Sequence, residues 1–154
     1  MNRILLGIIS LTFLNGCTSS NHEEPNQHLL ALKDDLLESD RHFSKMSEEA
    51  GLRAAYMEYI DSNVVLLKPN SLPITSGNAI DFITQINDVS QTMTWVPKSG
   101  FVANSGDLGY TYGLYSIRSR TTDSARFGTY LNVWKRQADS TWKLVMSSAN
   151  EGIE

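Results

Sequence analysis

Asp40 is the carboxylate in this sequence whose position most needs a chemical explanation. From His28 to Glu49 the composition is helical, and Leu29, Leu32, Leu36, Asp40, Phe43 and Ser47 recur at the three-and-four spacing of one helix face. Asp40 therefore points where apolar side chains point. A bare charge buried there is costly, so the carboxylate must be solvated, paired or protonated. Bonded to a backbone amide, or paired with an arginine such as Arg53 or Arg118, it would hold the helix in place. Facing a cavity, it is the candidate catalytic group, able to pass a proton to or from a bound molecule.

The other candidate residues are aromatic, and most lie between Ser105 and Ser148. Residues 107–118, 127–136 and 141–147 read as three strands joined by the turn formers Thr121 to Ser124 and Ala138 to Ser140, an antiparallel meander. Pairing the last two strands through the loop from Gln137 to Ser140 sets Trp134 opposite Leu144, Asn132 opposite Met146 and Tyr130 opposite Ser148. In the preceding strand Leu108, Tyr110, Tyr112 and Leu114 alternate with Gly109, Thr111, Gly113 and Tyr115. Two glycines on the second face mark a bend, so the first set is expected to face inward. The expected ligand-binding set is Tyr56, Trp95, Tyr110, Tyr112, Tyr130, Asn132, Trp134, Met146 and Ser148. With Asp40 it would make an apolar pocket containing a few hydroxyls and one amide, the sparse polar set that orients a small ligand. Any one of these aromatics can equally be plain core filling, as Trp and Tyr commonly are.

Other chemistries find little support. The three histidines, at 22, 28 and 42, show no His-x-x-x-His spacing and no paired carboxylates, so no metal site is expected. There is no glycine-rich phosphate loop and no nucleophile elbow, and no cofactor is expected. A net charge of −4 argues against binding a phosphate backbone, so nucleic acid is not an expected partner.

The elements that must position these residues begin after an export leader. Arg3 precedes an apolar run from Ile4 to Leu14, too short to span a bilayer, which reads as a signal peptide over residues 1–16. Cys17 is the only cysteine, so no internal disulfide can form in an oxidising compartment. Residues 17–27 are polar and read as a tether, leaving 28–154 as one domain large enough to bury a core. Gly51 suits a helix stop, and Leu52, Ala55, Tyr56, Tyr59 and Ile60 give a second, shorter helix. A strand over Val64 to Leu67, a short one at Pro73 to Thr75, and a third helix over Asn78 to Ile86 follow. Gln91 to Val96 reads as a strand ended by Pro97, and Phe101 starts the next. The order is α+β, with helices packed on one face of a strongly bent antiparallel sheet.

Two stretches carry a resemblance. Leu14-Asn-Gly-Cys17 resembles the bacterial lipobox, which implies cleavage before Cys17, lipidation of its sulfur, and a membrane-anchored lipoprotein of the cell envelope held to the membrane through the lipid alone. Gly106-Asp-Leu-Gly-Tyr-Thr-Tyr-Gly113, then Tyr130-Leu-Asn-Val-Trp-Lys-Arg-Gln137 and Trp142-Lys-Leu-Val145, resembles the SnoaL-like, ketosteroid-isomerase-related domains of the nuclear-transport-factor-2-like superfamily, over roughly Leu29 to Asn150. Ile74-Thr-Ser-Gly-Asn-Ala-Ile80 is similar to a passage that follows the first strand in that family. The resemblance implies a cone-shaped curved sheet of about five to six strands wrapped around about three N-terminal helices, and pairing of two copies through the outer sheet face. Relatives with a working site often carry a His or Asp where this chain has Met146, Ser147 and Ser148. The expected function is therefore a small-molecule-binding domain taking an apolar or amphipathic ligand and working as a homodimer. The alternatives are an isomerase, dehydratase or cyclase working by proton transfer through a pocket carboxylate, and a structural, partner-binding subunit.

Overall fold

The computed structural model describes residues 25–152; the expected leader, Cys17 and most of the tether lie outside the described residues. Helix α1 (Pro25–Ala50) begins within the stretch expected to be tether, and its buried stripe is the one the spacing predicts: Leu32, Leu36, Asp40, Phe43 and Ser47, with Ser44 added. Gly51, at φ 96°, lies in the left-handed region that favours glycine and ends α1. A side chain there would also collide with Asp88, whose Oδ2 accepts the Arg53 backbone N–H at 3.1 Å and so caps α2 (Leu52–Tyr59).

Strands β1 (Ile60–Leu67) and β2 (Ile74–Thr75) precede α3 (Ser76–Thr84). The long strands β3 (Gln91–Val102), β4 (Leu108–Ser119), β5 (Ala125–Arg136) and β6 (Trp142–Glu151) follow. They form one six-stranded sheet in the order β2-β1-β6-β5-β4-β3. Two expectations are corrected here. The sheet is mixed, because β1 runs parallel to β6; these strands come from opposite ends of the domain, and no turn between them imposes an antiparallel pair. Pro97 does not end a strand either. A bulge between Pro97 and Ser99 carries β3 on to Val102, and Pro97 is tolerated because β3 is an edge strand with one open side.

Helix α1 lies across the inner face of β3 and β4, and α3 covers β1 through Val64, Leu66, Ala79 and Ile83. Three inner-face glycines set how closely these layers approach. A Cβ on Gly109 would sit 2.7 Å from Leu36 Cδ2, so Gly109 lets α1 lie close to the sheet. Gly113 and Gly128 are covered by the rings of Tyr130 and Tyr115, which a Cβ would meet at 2.9 and 2.6 Å.

Candidate functional site

Asp40 is fully buried, with 0 % of its surface exposed, and four strand residues converge on its carboxylate. Trp95 Nε1 donates to Oδ1 at 2.8 Å, Tyr130 Oη donates to Oδ2 at 2.6 Å, and Asn132 Nδ2 donates to Oδ1 at 3.3 Å. Thr111, whose hydroxyl accepts the indole N–H of Trp134 at 2.9 Å, lies beside them and helps to favour the charged form of Asp40. These residues meet because the pairing puts Thr111 opposite Asn132, with Tyr130 one inner position along β5 and Trp95 on the inner face of β3. No arginine is involved. The nearby serines of α1 bind backbone instead: Ser44 Oγ accepts the Trp95 N–H at 2.7 Å, and Ser47 Oγ donates to the Met93 carbonyl at 2.7 Å. These bonds pin the end of edge strand β3 to the helix.

Burial pushes the Asp40 carboxyl above its ordinary range, and the four donors Tyr130, Trp95, Thr111 and Asn132 oppose that push without cancelling it. Burial, reinforced by the neighbouring Asp40 charge, pushes the Tyr130 phenol upward too, so Tyr130 remains a donor across the usual pH range. The carboxylate accepts two bonds at Oδ1 and one at Oδ2, all from protein groups. From Asn132 the network continues outward. Ser147 Oγ donates to Asn132 Oδ1 at 2.8 Å, and the half-buried Tyr56 hydroxyl stands 3.5 Å from Ser147 Oγ.

Of the residues expected from the sequence, Asp40, Trp95, Tyr130, Asn132 and Trp134 meet on the inner face, and Tyr56 joins through Ser147. Tyr110 and Tyr112 do not. They are 40 % and 46 % exposed on the outer face, together with Leu108 and Leu114. The glycines mark the inner face of β4 rather than a bend that turns it outward, because Leu36 and Tyr130 need the space a Cβ would fill. Met146 and Ser148 also turn outward, opposite Val133 and Leu131. A shift in pairing between Val133 and Trp134 keeps Trp134 opposite Leu144 but moves Asn132 to Ser147 and Tyr130 to Ala149. Thr111 and Ser147, which the parity argument placed elsewhere or passed over, are the two hydroxyls that complete the network.

The interior around this cluster is filled by side chains. Phe43 packs against Tyr56, Tyr59, Trp95 and Trp134 with ring centroids 4.6 to 5.9 Å apart. Toward the other end of the inner face the core gives way to partly exposed residues. Met46, Leu52 and Tyr56 from the helices and Met93, Ile117 and Ala149 from the strands are only half-buried there. Among the described residues, no group of three or more His, Cys, Asp or Glu is placed to hold a metal ion.

The long first helix seated on a curved sheet, followed by four long meandering strands, matches solved structures end to end. A nuclear-transport-factor-2-like protein with a cystatin-like fold from Novosphingobium aromaticivorans superposes with a TM-score of 0.66 at 10% identity, covering 87% of this chain and 90% of that one. The fold is that of the nuclear-transport-factor-2-like proteins. A ketosteroid isomerase-like protein from Erwinia carotovora atroseptica superposes at 0.61 with 12% identity, over 84% of this chain and 99% of its own. The S. rosetta CaMKII hub does so at 0.61 with 17% identity, over 78% and 96%. No protein-family model matches the sequence, and no curated protein matches it. At these identities the likeness carries the nuclear-transport-factor-2-like architecture and not a reaction.

Proposed function

We propose that this protein is a non-catalytic binding domain that works as a homodimer and takes up a small apolar or amphipathic molecule at the partly exposed end of its inner face. The observation that carries this reading is the closure of Asp40. A proton-transfer enzyme needs a titratable group that reaches the ligand, and this carboxylate is fully buried and already accepts bonds from Trp95, Tyr130 and Asn132. The half-buried Met46, Leu52, Tyr56, Met93, Ile117 and Ala149 offer apolar contact, with the Tyr56 and Ser147 hydroxyls as the polar handle. Native mass spectrometry of protein purified from its host tests this. Retention of one small molecule by wild type and by Asp40→Asn, and its loss from Met93→Asp, supports the reading. Turnover of a bound molecule that disappears in Asp40→Asn would overturn it.

The dimer reading rests on the outer sheet face. Phe101, Tyr110, Val133, Met146 and Val65 form one row across five strands, Tyr112, Leu131 and Leu67 a second, and Val96 and Leu114 a third. Those of β3, β4 and β5 other than Val133 are exposed, a contiguous apolar surface of the kind monomers seldom leave open. A contiguous apolar face of this kind suits a two-fold contact with a second copy.

Proton transfer is the second reading, favoured by the chain of polar groups from Asp40 through Asn132 and Ser147 to Tyr56. That chain passes through an amide, which neither releases nor accepts a proton at neutral pH. For the leader, we propose attachment of lipid at Cys17 and anchoring in the bacterial cell envelope, on the strength of the sole cysteine and the lipobox-like Leu14 to Cys17.

A further inference from the structure

A second site lies on the other side of the sheet's open end, apart from the Asp40 cluster. A cleft of about 420 Å³ is lined by Glu48, Thr92, Thr94, Arg118, Ser119 and Arg120. Arg118 near the end of β4 and Arg120 just beyond it both line this cleft. Among the described residues neither is neutralised: the ion pairs there involve other groups, and no described carboxylate lies within 4.0 Å of either guanidinium. In a chain with a net charge of −4, two adjacent unpaired arginines in one concavity are an investment that the fold does not require.

Arg120 is also held in position. Its Nε donates to Thr92 Oγ1 at 2.9 Å, and its backbone N–H donates to the Ser90 carbonyl at 2.8 Å. The turn that follows is stitched by Ser119 Oγ, which accepts the N–H groups of Thr121 and Thr122 at 3.2 and 3.1 Å. With Nε anchored, the remaining guanidinium N–H groups of Arg120 are free to fork onto a planar oxyanion, and Arg118 supplies a second set. The Thr92 hydroxyl, having accepted from Arg120, still has its own proton to donate. Glu48 also lines the cleft and weakens its attraction for any anion, so binding rests on the two arginines.

We propose that this cleft binds the carboxylate group of a small organic acid between Arg118 and Arg120. The test is a titration of the ¹⁵N-labelled domain with sodium propionate at constant ionic strength, with sodium chloride and inorganic phosphate as the other arms. Saturable shifts confined to the signals of Ser90 to Thr94 and Arg118 to Thr122, including the arginine Nε–H resonances, are expected with propionate and not with chloride. Arg118→Gln and Arg120→Gln should each weaken the interaction about tenfold or more, the scale of losing one charged hydrogen-bond partner. Arg120→Lys should weaken it similarly, because lysine keeps the charge but cannot be anchored through Nε to Thr92. Shifts that never saturate, that chloride reproduces, or that persist in the Arg118→Gln/Arg120→Gln double variant would overturn the proposal. Phosphate saturating the same signals at lower concentration than propionate would overturn the carboxylate assignment.

Discussion

Asp40→Asn is the most informative single change, because the geometry around the carboxylate fixes which bonds an amide can keep. Trp95 Nε1 and Asn132 Nδ2 both donate to Oδ1, and an indole N–H cannot accept. The new side chain must therefore place its oxygen at the Oδ1 position and its NH₂ toward Tyr130, where Oδ2 now accepts at 2.6 Å. Tyr130 can rotate its hydroxyl to accept, but its own proton then has no partner. Spoiling one strong buried bond costs about 1–3 kcal/mol. Chemical denaturation near pH 4 should show a loss of that size. A variant as stable as wild type would refute the assignment of Asp40 as the structural hub and return it to the role of a ligand-facing group.

The pH dependence gives an independent check with a definite sign. The native Asp40 pKa is raised above its unfolded value, by burial first. Between the two values the native state holds more proton than the unfolded chain. The stabilising contribution is therefore complete below the unfolded pKa, about 4, and declines as pH rises through the native pKa. Asn cannot titrate, so the stability gap between wild type and Asp40→Asn should narrow as pH rises from about 4 and then level off. A gap that widens over the same range would mean that the four donors outweigh desolvation and that the native pKa is depressed.

Tyr130→Phe removes the shortest bond to Asp40 without altering the ring, and should cost about 1.5–3 kcal/mol in denaturant unfolding, the range for a hydrogen bond to a charged group. Gly109→Ala would bring a methyl to 2.7 Å from both Leu36 Cδ2 and the Phe101 carbonyl, and should lower stability by about 1–3 kcal/mol through displacement of α1. On the outer face, Leu131→Lys should convert a dimer into a folded monomer in sedimentation velocity with little change in melting temperature; a wild-type chain already monomeric at high concentration would exclude the dimer. Labelling with a fatty-acid analogue in a bacterial host should mark the full-length wild type and not Cys17→Ser.

What the sequence reveals here follows from periodicity, and what it conceals follows from events that periodicity does not register. The stripe Leu32, Leu36, Asp40, Phe43, Ser47 is a helical repeat, and it places Asp40 correctly. Tyr130, Asn132 and Trp134 alternate cleanly with exposed neighbours on β5, and they too lie inside. On β6 the same logic fails midway, because a one-residue shift beside Trp134 exchanges Met146 and Ser148 for Ser147 and Ala149. On β4 both alternating sets contain tyrosines, so size could not decide between them. The deciding fact is three-dimensional: Leu36 and Tyr130 lie where a Cβ on Gly109 or Gly113 would be. The parallel pairing of β1 with β6 has no local sign at all.

The glycines that misled the parity argument also explain how Asp40 comes to be so closely enclosed. By admitting Leu36 and the Tyr130 ring close to the sheet, Gly109 and Gly113 bring α1 near enough for Asp40 to reach donors on β3, β4 and β5 at once. The same closeness seats Phe43 among Tyr56, Tyr59, Trp95 and Trp134, in the space where a ligand would have to lie to touch the carboxylate. A larger residue at Gly109 would lift the helix, and one at Gly113 would collide with the Val96 carbonyl on β3 and the Tyr130 ring; either would disturb the network. Satisfying the buried acid and packing the aromatic cluster are therefore one structural solution, and the binding proposed above is assigned to surfaces it does not use: the partly exposed end of the inner face, the apolar outer face, and the arginine-lined cleft beside the end of β4.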